Sequence, residues 1–201
     1  LYNTVESKDI LEKSKESAPK IEIEDNAIRL ISVGTLKSSK GYNRLLKIIK
    51  RLHTESYNIH LYILGEGPQK QELEDYINAN NINNFVTLLG YDVNPYRYVA
   101  KCDLFVCASY SEGFSTAATE ALIVGTAVCT VEVSGMKEML GNNNEYGIVT
   151  NNDEESLYQG IKSLLDDPEL LQRYQSQAKE RGKDFGTEET VKAVEHLLLS
   201  L

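Results

Sequence analysis

The chain alternates between short apolar runs and amphipathic stretches. The apolar runs are rich in β-branched residues, end in glycine or a polar turn, and are followed by residues with helical spacing. They are apolar at nearly every position, which is typical of strands covered on both faces. Alternating strands and helices predict right-handed βαβ units and a parallel sheet. The predicted strands are Ile28–Val33, His60–Leu64, Phe85–Leu89, Leu104–Ala108, Ala127–Val131 and Gly147–Thr150.

Helical patterns lie between these strands and continue without strands after Thr150. Asp153 is a predicted N-cap, and Pro168 stands where a first-turn proline is tolerated. The sequence therefore predicts a Rossmann-like, doubly wound α/β domain over residues 21–167, with a helical tail over 168–201. The predicted helices are Gly41–Leu52, Pro68–Ala79, Pro95–Lys101, Ser115–Val124, Met136–Leu140, Asp153–Leu165, Pro168–Phe185 and Thr187–Leu201.

The first residues have a different character. Residues 1–20 are polar, begin with leucine rather than methionine and contain one short helical pattern closed by Pro19. We expect them to be a linker from a preceding N-terminal domain, so that the 201 residues form part of a longer chain.

Composition narrows the class of protein. The chain has 201 residues, 41% hydrophobic and 25% charged, which is ordinary for a soluble globular domain and argues against disorder. A net charge of -9 disfavours nucleic acid as a partner, and the apolar runs are too short for a transmembrane segment. Three cysteines (Cys102, Cys107 and Cys129) suit a reducing cytoplasm, and three scattered histidines predict no zinc site.

Parallel sheets bind ligands beyond the carboxyl ends of their strands, so the loops there are the candidate sites. The first loop, VGTLKSSKG, has Gly34 directly after the strand and Lys40 at a helix start, where a lysine and free N–H groups suit phosphate. The third loop contains Gly90 and Tyr91, whose backbone and ring are suited to a planar base. Ordinary turn chemistry explains each of these loops equally well.

The fourth loop, ASYSEGFSTAATEALIVG, is the most informative. Glu112 precedes a helix start of small residues, and Glu120 lies inside that helix. Small residues let a diphosphate approach the helix N–H groups, and a carboxylate one turn further on can accept hydrogen bonds from a ribose diol. The alternative is a solvated Glu112 and an exposed Glu120, although the apolar surroundings of Glu120 make that interpretation strained.

The order of these elements resembles glycosyltransferase family 4. The succession is G-x-L-x-x-x-K-G, then G-x-G-P, then E-G-F-x-x-x-x-x-E before A-x-x-x-G, then S-G-x-x-E. It is similar to the C-terminal, donor-binding half of a retaining GT-B enzyme, and the resemblance covers about residues 2–167. It implies a hexosyltransferase that uses a nucleoside-diphosphate sugar, with UDP favoured over GDP, and that requires no divalent metal or other cofactor.

The resemblance also implies residue roles. Lys40 would contact the donor diphosphate, Glu112 would lie near the transferred sugar, and Glu120 would hold the ribose hydroxyls. The sequence does not decide whether Glu112 is a nucleophile or whether attack occurs from the same face. The remaining implied donor-binding positions are Gly34, Thr35, Gly90, Tyr91 and the backbone N–H groups of Phe114, Ser115 and Thr116.

One position departs from the family pattern. Thr35 stands where the family has an arginine that pairs with the lysine on the diphosphate. A hydroxyl does not replace a bidentate guanidinium. Either another cation substitutes, such as Lys37 or a residue of a preceding domain, or the activity is reduced or altered.

The resemblance implies an acceptor site in an N-terminal half outside this chain. The isolated chain is then expected to bind nucleotide weakly and to transfer no sugar. A polysaccharide or lipid-linked acceptor, bacterial cell-surface polysaccharide synthesis and a cytoplasmic location at the inner face of the membrane follow from the resemblance alone. Two alternatives remain open: a sugar-nucleotide epimerase of the same architecture, and a binding module without catalysis. A flavodoxin-like effector domain would explain the sheet but not the paired glutamates.

Overall fold

The computed structural model describes residues 7–21, 26–113 and 115–185. Its six strands match the predicted ones with small shifts at their ends, so the predicted α/β architecture is confirmed. The strands are β1 (Ile28–Val33), β2 (Ile59–Leu64), β3 (Val86–Gly90), β4 (Leu104–Cys107), β5 (Ala127–Val131) and β6 (Ile148–Thr150).

All six strands are parallel and follow the order β3-β2-β1-β4-β5-β6. The chain runs from β1 to one edge of the sheet, returns to β4 on the other side of β1, and continues to the opposite edge. Leu30 pairs with Leu104 and Ile31 with Phe105 where the two halves meet. The helices that follow β1 and β4 pack on opposite faces of the sheet, so the switch point lies between the ends of these two strands.

The helices cover both faces of the sheet. They are α1 (Ser7–Lys13), α2 (Tyr42–Thr54), α3 (Lys70–Ala79), α4 (Tyr96–Val99), α5 (Thr116–Val124), α6 (Met136–Leu140), α7 (Glu154–Asp166) and α8 (Pro168–Lys183). Neighbouring residues of a strand point to opposite faces of the sheet. Leu30 belongs to a core formed with α2, α3 and α7, whereas Ile31 belongs to a core formed with α1, α4, α5 and α6. Residues of α8 contribute to both cores.

Three local features differ from the sequence expectation. A short 3-10 helix, Ser38–Lys40, precedes α2, because Gly41 adopts a left-handed φ of 68° and separates the two helices. Ser115 is the N-cap of α5 rather than its first residue. The turn before α3 and the ends of α4 make both helices shorter than predicted.

The two ends of the described chain pack on the sheet domain. Ile10 of α1 is only 2% exposed and lies in the core with α4 and α5, while Ala178 of α8 is fully buried beside α5. The divisions at residues 20 and 167 stay predictions. The predicted helix Thr187–Leu201 lies outside the described residues.

Gly41 marks a close contact between the start of α2 and the end of β4. A Cβ added at Gly41 would lie 1.9 Å from the carbonyl oxygen of Ala108, and its φ of 68° disfavours other residues. We expect Gly41→Ala to lower the free energy of unfolding by about 2 to 4 kcal/mol, measured by urea unfolding.

Gly113 provides the matched control, since a Cβ there meets nothing within 4 Å. Gly113→Ala is expected to change stability by less than about 0.5 kcal/mol. Equal stability of the two variants would show that the contact between Gly41 and Ala108 is not tight.

Candidate functional site

The first strand ends at a loop that places Lys40 over the switch point. Gly34 donates its N–H to the carbonyl oxygen of Leu64 at 3.0 Å and accepts a hydrogen bond from Tyr42 Oη at 3.0 Å. Burial raises the pKa of Tyr42, so this hydroxyl remains a neutral donor. The chain then forms the 3-10 helix Ser38–Lys40, whose last residue is Lys40.

Lys40 and Glu112 form an ion pair at this point. Lys40 Nζ lies 2.5 Å from Glu112 Oε1, and Ser109 Oγ donates to the same carboxylate oxygen at 2.7 Å. The two charged side chains are only 21% and 12% exposed, so their attraction is screened less than that of a surface pair. The structure therefore joins the two predicted catalytic residues, which are 72 positions apart in the chain.

The N-terminus of α5 lies beside the same ion pair. Ser115 caps the helix, its Oγ accepting from the N–H of Ala118 at 3.4 Å, and Ser115 lines a small cavity together with Lys40 and Glu112. Thr116 is the first residue of α5. The positive end of the helix dipole and the Lys40 ammonium thus converge, an arrangement suited to an anion. The predicted donor-binding residue Phe114 lies outside the described residues.

Glu120 lies one turn into α5 and is partly buried. Tyr96 Oη of α4 donates to Glu120 Oε1 at 3.5 Å. Burial raises the pKa of the Glu120 carboxyl to about 7, and the hydrogen bond from Tyr96 only partly opposes this. The interpretation of Glu120 as a residue on an exposed helix face is therefore wrong.

The predicted base-binding loop lies at the end of β3. Gly90 accepts a hydrogen bond from the N–H of Gly65 at 2.9 Å, which ties this loop to the one after β2. The Tyr91 side chain is 70% exposed, so its ring is open for stacking. One strand, β2, lies between the edge strand β3 and β1, and among the described residues this loop forms no hydrogen bond or ion pair with Lys40 or Glu112.

Thr35 and Lys37 lie in the turn between β1 and the 3-10 helix. Both side chains are exposed, and the N–H of Lys37 donates to the carbonyl oxygen of Thr35 at 2.9 Å. Whether Lys37 replaces the family's arginine stays a prediction.

Two polar residues of the site carried no recognisable sequence signal. Ser109 orients Glu112, and Tyr96 contacts Glu120. Ser109 is a serine in a polar loop, and Tyr96 is one of several tyrosines. The partner of each becomes visible only when the strand order is known.

Within residues 7–21, 26–113 and 115–185, no group of three His, Cys, Asp or Glu side chains is placed to hold a metal ion. In the same part of the chain, no helix is long and apolar enough to span a bilayer.

A parallel Rossmann-like sheet with an ion pair and a helix N-terminus at its switch point defines the class: an α/β domain of the kind found in GT-B proteins. The family model described as "Glycosyl transferases group 1" matches residues 13–181. The chain belongs to this glycosyltransferase family.

Relatives and solved structures agree with this assignment. An N-acetylgalactosamine-N,N'-diacetylbacillosaminyl-diphospho-undecaprenol 4-alpha-N-acetylgalactosaminyltransferase of Campylobacter jejuni is 40% identical over 187 residues, covering 92% of this chain and 49% of the relative. An uncharacterized glycosyltransferase of Methanocaldococcus jannaschii is 31% identical, covering 81% of this chain and 47% of the relative. The chain thus spans about half the length of the curated relatives that it matches.

Solved structures share the fold at lower identity. Anabaena HepE in complex with UDP and glucose superposes with a TM-score of 0.82 at 18% identity, covering 100% of this chain and 56% of that one. The pneumococcal O-GlcNAc transferase GtfA in complex with UDP and GlcNAc gives 0.76 at 18% identity, covering 86% of this chain and 35% of that one.

Proposed function

We propose that this chain is the donor-binding domain of a retaining glycosyltransferase of family 4. The whole enzyme would move a hexosyl unit from a nucleoside-diphosphate sugar to a polysaccharide or lipid-linked acceptor. The observation that carries the proposal is the Lys40–Glu112 pair beside the N-terminus of α5, at the switch point of the sheet. Family membership and the transferases among the relatives support it.

The geometry supports a division of roles. The donor diphosphate would lie at the start of α5 against Lys40, with Glu112 near the sugar and Glu120 on the ribose diol. Sugar departure passes through an oxocarbenium-like state, in which negative charge grows on the leaving phosphate. Lys40 and the α5 N–H groups are fixed before that charge develops, and such preorganised groups stabilise a transition state efficiently. We propose that this positive charge makes a divalent metal unnecessary.

The donor and acceptor are proposed from the relatives. Two of the solved neighbours contain UDP, which favours a UDP-sugar over a GDP-sugar here. The Campylobacter relative's name describes an undecaprenol-linked acceptor. We infer a comparable lipid-linked acceptor in bacterial cell-surface polysaccharide synthesis, and we propose that the enzyme acts in the cytoplasm at the inner face of the membrane.

The acceptor site would lie in a further domain. The curated relatives are about twice as long as the matched region, and a second Rossmann-like half preceding residues 21–167 would complete a GT-B cleft. An epimerase or a binding module without catalysis would use the same donor site. The relatives named as transferases favour transfer.

Titration calorimetry of the 201-residue chain with UDP and GDP tests the donor site. We expect UDP to bind with a Kd below about 1 mM, corresponding to at least about 4 kcal/mol, and the chain alone to transfer no sugar. Uridine, which lacks the diphosphate, is the control and is expected to bind much more weakly. Failure of every nucleoside diphosphate to bind at millimolar concentration would contradict the proposal.

A further inference from the structure

Arg44 of α2 is a buried charged residue to which the donor site assigns no role. It is only 2% exposed. Removing a guanidinium from water costs several kcal/mol unless its hydrogen bonds are replaced. Burial lowers the pKa of Arg44, which reflects this cost. A buried arginine in the helix that follows Lys40 therefore requires a structural reason.

Two of its described hydrogen bonds go to carbonyl oxygens at the end of β4. Nε donates to the carbonyl oxygen of Ala108 at 2.6 Å, and Nη2 donates to that of Ser109 at 2.8 Å. The guanidinium also lies over the Tyr110 ring, 4.2 Å from its centroid. One planar group thus holds the three residues that leave β4, a geometry that requires the fork of an arginine.

The held segment carries the carboxylate of the site. Ser109, whose carbonyl Arg44 binds, donates its hydroxyl to Glu112, and Glu112 pairs with Lys40. Arg44 stands four residues after Lys40, so the 3-10 helix and the first turn of α2 together carry the cation of the pair and the group that fixes the opposite loop. The N–H of Tyr110 adds a bond to the carbonyl oxygen of Ser39 at 2.8 Å.

Asn152 extends the same network to the far half of the sheet. Its Oδ1 accepts from Arg44 Nη2 at 2.8 Å. Its Nδ2 donates to the carbonyl oxygens of Tyr110 at 3.2 Å and Glu132 at 3.4 Å. The loops after β4, β5 and β6 are therefore connected through one amide to α2.

We propose that Arg44, supported by Asn152, is a positioning residue that sets the distance between Lys40 and Glu112 in the donor site. This inference rests on the proposed function only for the identity of the ligand, a nucleoside-diphosphate sugar. Arg44 touches neither the diphosphate nor the sugar in this scheme. It acts through the backbone of Ser109 on the end of the site that faces the transferred sugar.

The test uses Arg44→Lys in the full-length protein, because lysine keeps the charge but loses the fork. We expect crystals of the variant to show the Lys40 Nζ to Glu112 Oε1 separation widened beyond about 4 Å, the outer limit of an ion pair. We expect the advantage of UDP-glucose or UDP-N-acetylgalactosamine over UDP in calorimetry to fall about tenfold, with UDP affinity changed less than about threefold.

Two further variants separate positioning from stability. Arg29→Lys is the matched control: Arg29 forms a half-buried pair with Asp103 at 3.2 Å near the opposite end of β1, and its loss is expected to leave the affinity ratio unchanged. Asn152→Ala changes an exposed residue and is expected to reproduce the Arg44→Lys effect at about threefold, which keeps the test valid if Arg44→Lys unfolds.

The outcomes are distinguishable. An unchanged Lys40–Glu112 distance in Arg44→Lys, or in Asn152→Ala if the first variant does not fold, would overturn the positioning role. If the wild type binds the UDP-sugar more tightly than UDP, a variant with the same ratio of the two affinities would also overturn the positioning role. A wild type that binds neither UDP nor a UDP-sugar would overturn the proposed function, while the crystallographic distance would still decide the role of Arg44.

Discussion

Replacing Lys40 by methionine is expected to lower kcat for sugar transfer by the full-length enzyme by about 100- to 1000-fold, the usual cost of losing one group that stabilises developing charge. The ammonium lies 2.5 Å from Glu112 at the start of α5, where the leaving diphosphate would collect negative charge. Since the interaction strengthens in the transition state, kcat should fall more than donor affinity. Steady-state kinetics with a radiolabelled UDP-sugar measures both.

Lys47→Met is the matched control for this prediction. Lys47 lies on the exposed side of α2, the helix that follows Lys40, and its replacement removes the same charge at a position away from the Lys40–Glu112 pair. Wild-type kcat is expected for Lys47→Met. Wild-type kcat for a folded Lys40→Met protein would show that Lys40 does not stabilise the leaving group.

The affinity for a UDP-sugar is expected to rise with pH through about 7 and to become constant above about 8. Burial raises the pKa of Glu120 to about 7, so at lower pH the carboxyl of the free protein holds a proton. A ribose diol donates hydrogen bonds to the ionised carboxylate, so binding favours ionisation and releases this proton. Full coupling predicts affinity about 30-fold weaker at pH 5.5 than at pH 8.5.

A UDP-sugar is the appropriate probe, because its diphosphate does not titrate in this range whereas the terminal phosphate of UDP does. Glu120→Gln is the control and should bind with weak, pH-independent affinity. A pH-independent affinity of the wild-type protein would show that Glu120 does not bind the ribose hydroxyls. Calorimetry in buffers of different ionisation enthalpy measures the released proton directly.

The Glu120 carboxyl also makes the stability of the folded protein depend on pH. The folded-state pKa of about 7 lies above the ordinary glutamate pKa of 4.5, so between these two pH values the folded state holds a proton that the unfolded state has lost. Stability therefore falls as pH rises through this window. At pH 8 the free energy of unfolding of Glu120→Gln should exceed that of wild type by about 1 to 2 kcal/mol, after allowance for partial exposure. Denaturant unfolding of both proteins measures this difference.

The sheet was predictable because its strands are covered on both faces. Their uniform apolarity distinguishes them from the amphipathic helices, and each carboxyl end is marked by glycine or a polar turn. The predicted strand ends therefore led to the loops and the helix start that carry Lys40, Glu112 and Glu120. Their order along the chain did not reveal that β1 and β4 are neighbours, and this adjacency is what pairs Lys40 with Glu112.

The supporting residues escaped prediction for a related reason. Arg44 occupies a helix position that resembles an ordinary polar site, and it becomes buried only because the end of β4 approaches α2. Gly41 is needed for the same approach, since its missing Cβ leaves room for the Ala108 carbonyl. Long-range backbone contacts of this kind leave no local pattern, so the short 3-10 helix before Gly41 was equally hidden.

The most direct test of the donor-site assignment is a crystal structure of the full-length protein with a bound UDP-sugar. We expect the diphosphate at the first turn of α5, within about 3.5 Å of Lys40 Nζ, and the ribose hydroxyls within about 3 Å of the Glu120 carboxylate. A nucleotide bound elsewhere, with Lys40 still paired to Glu112 and no phosphate at α5, would contradict the donor-site assignment.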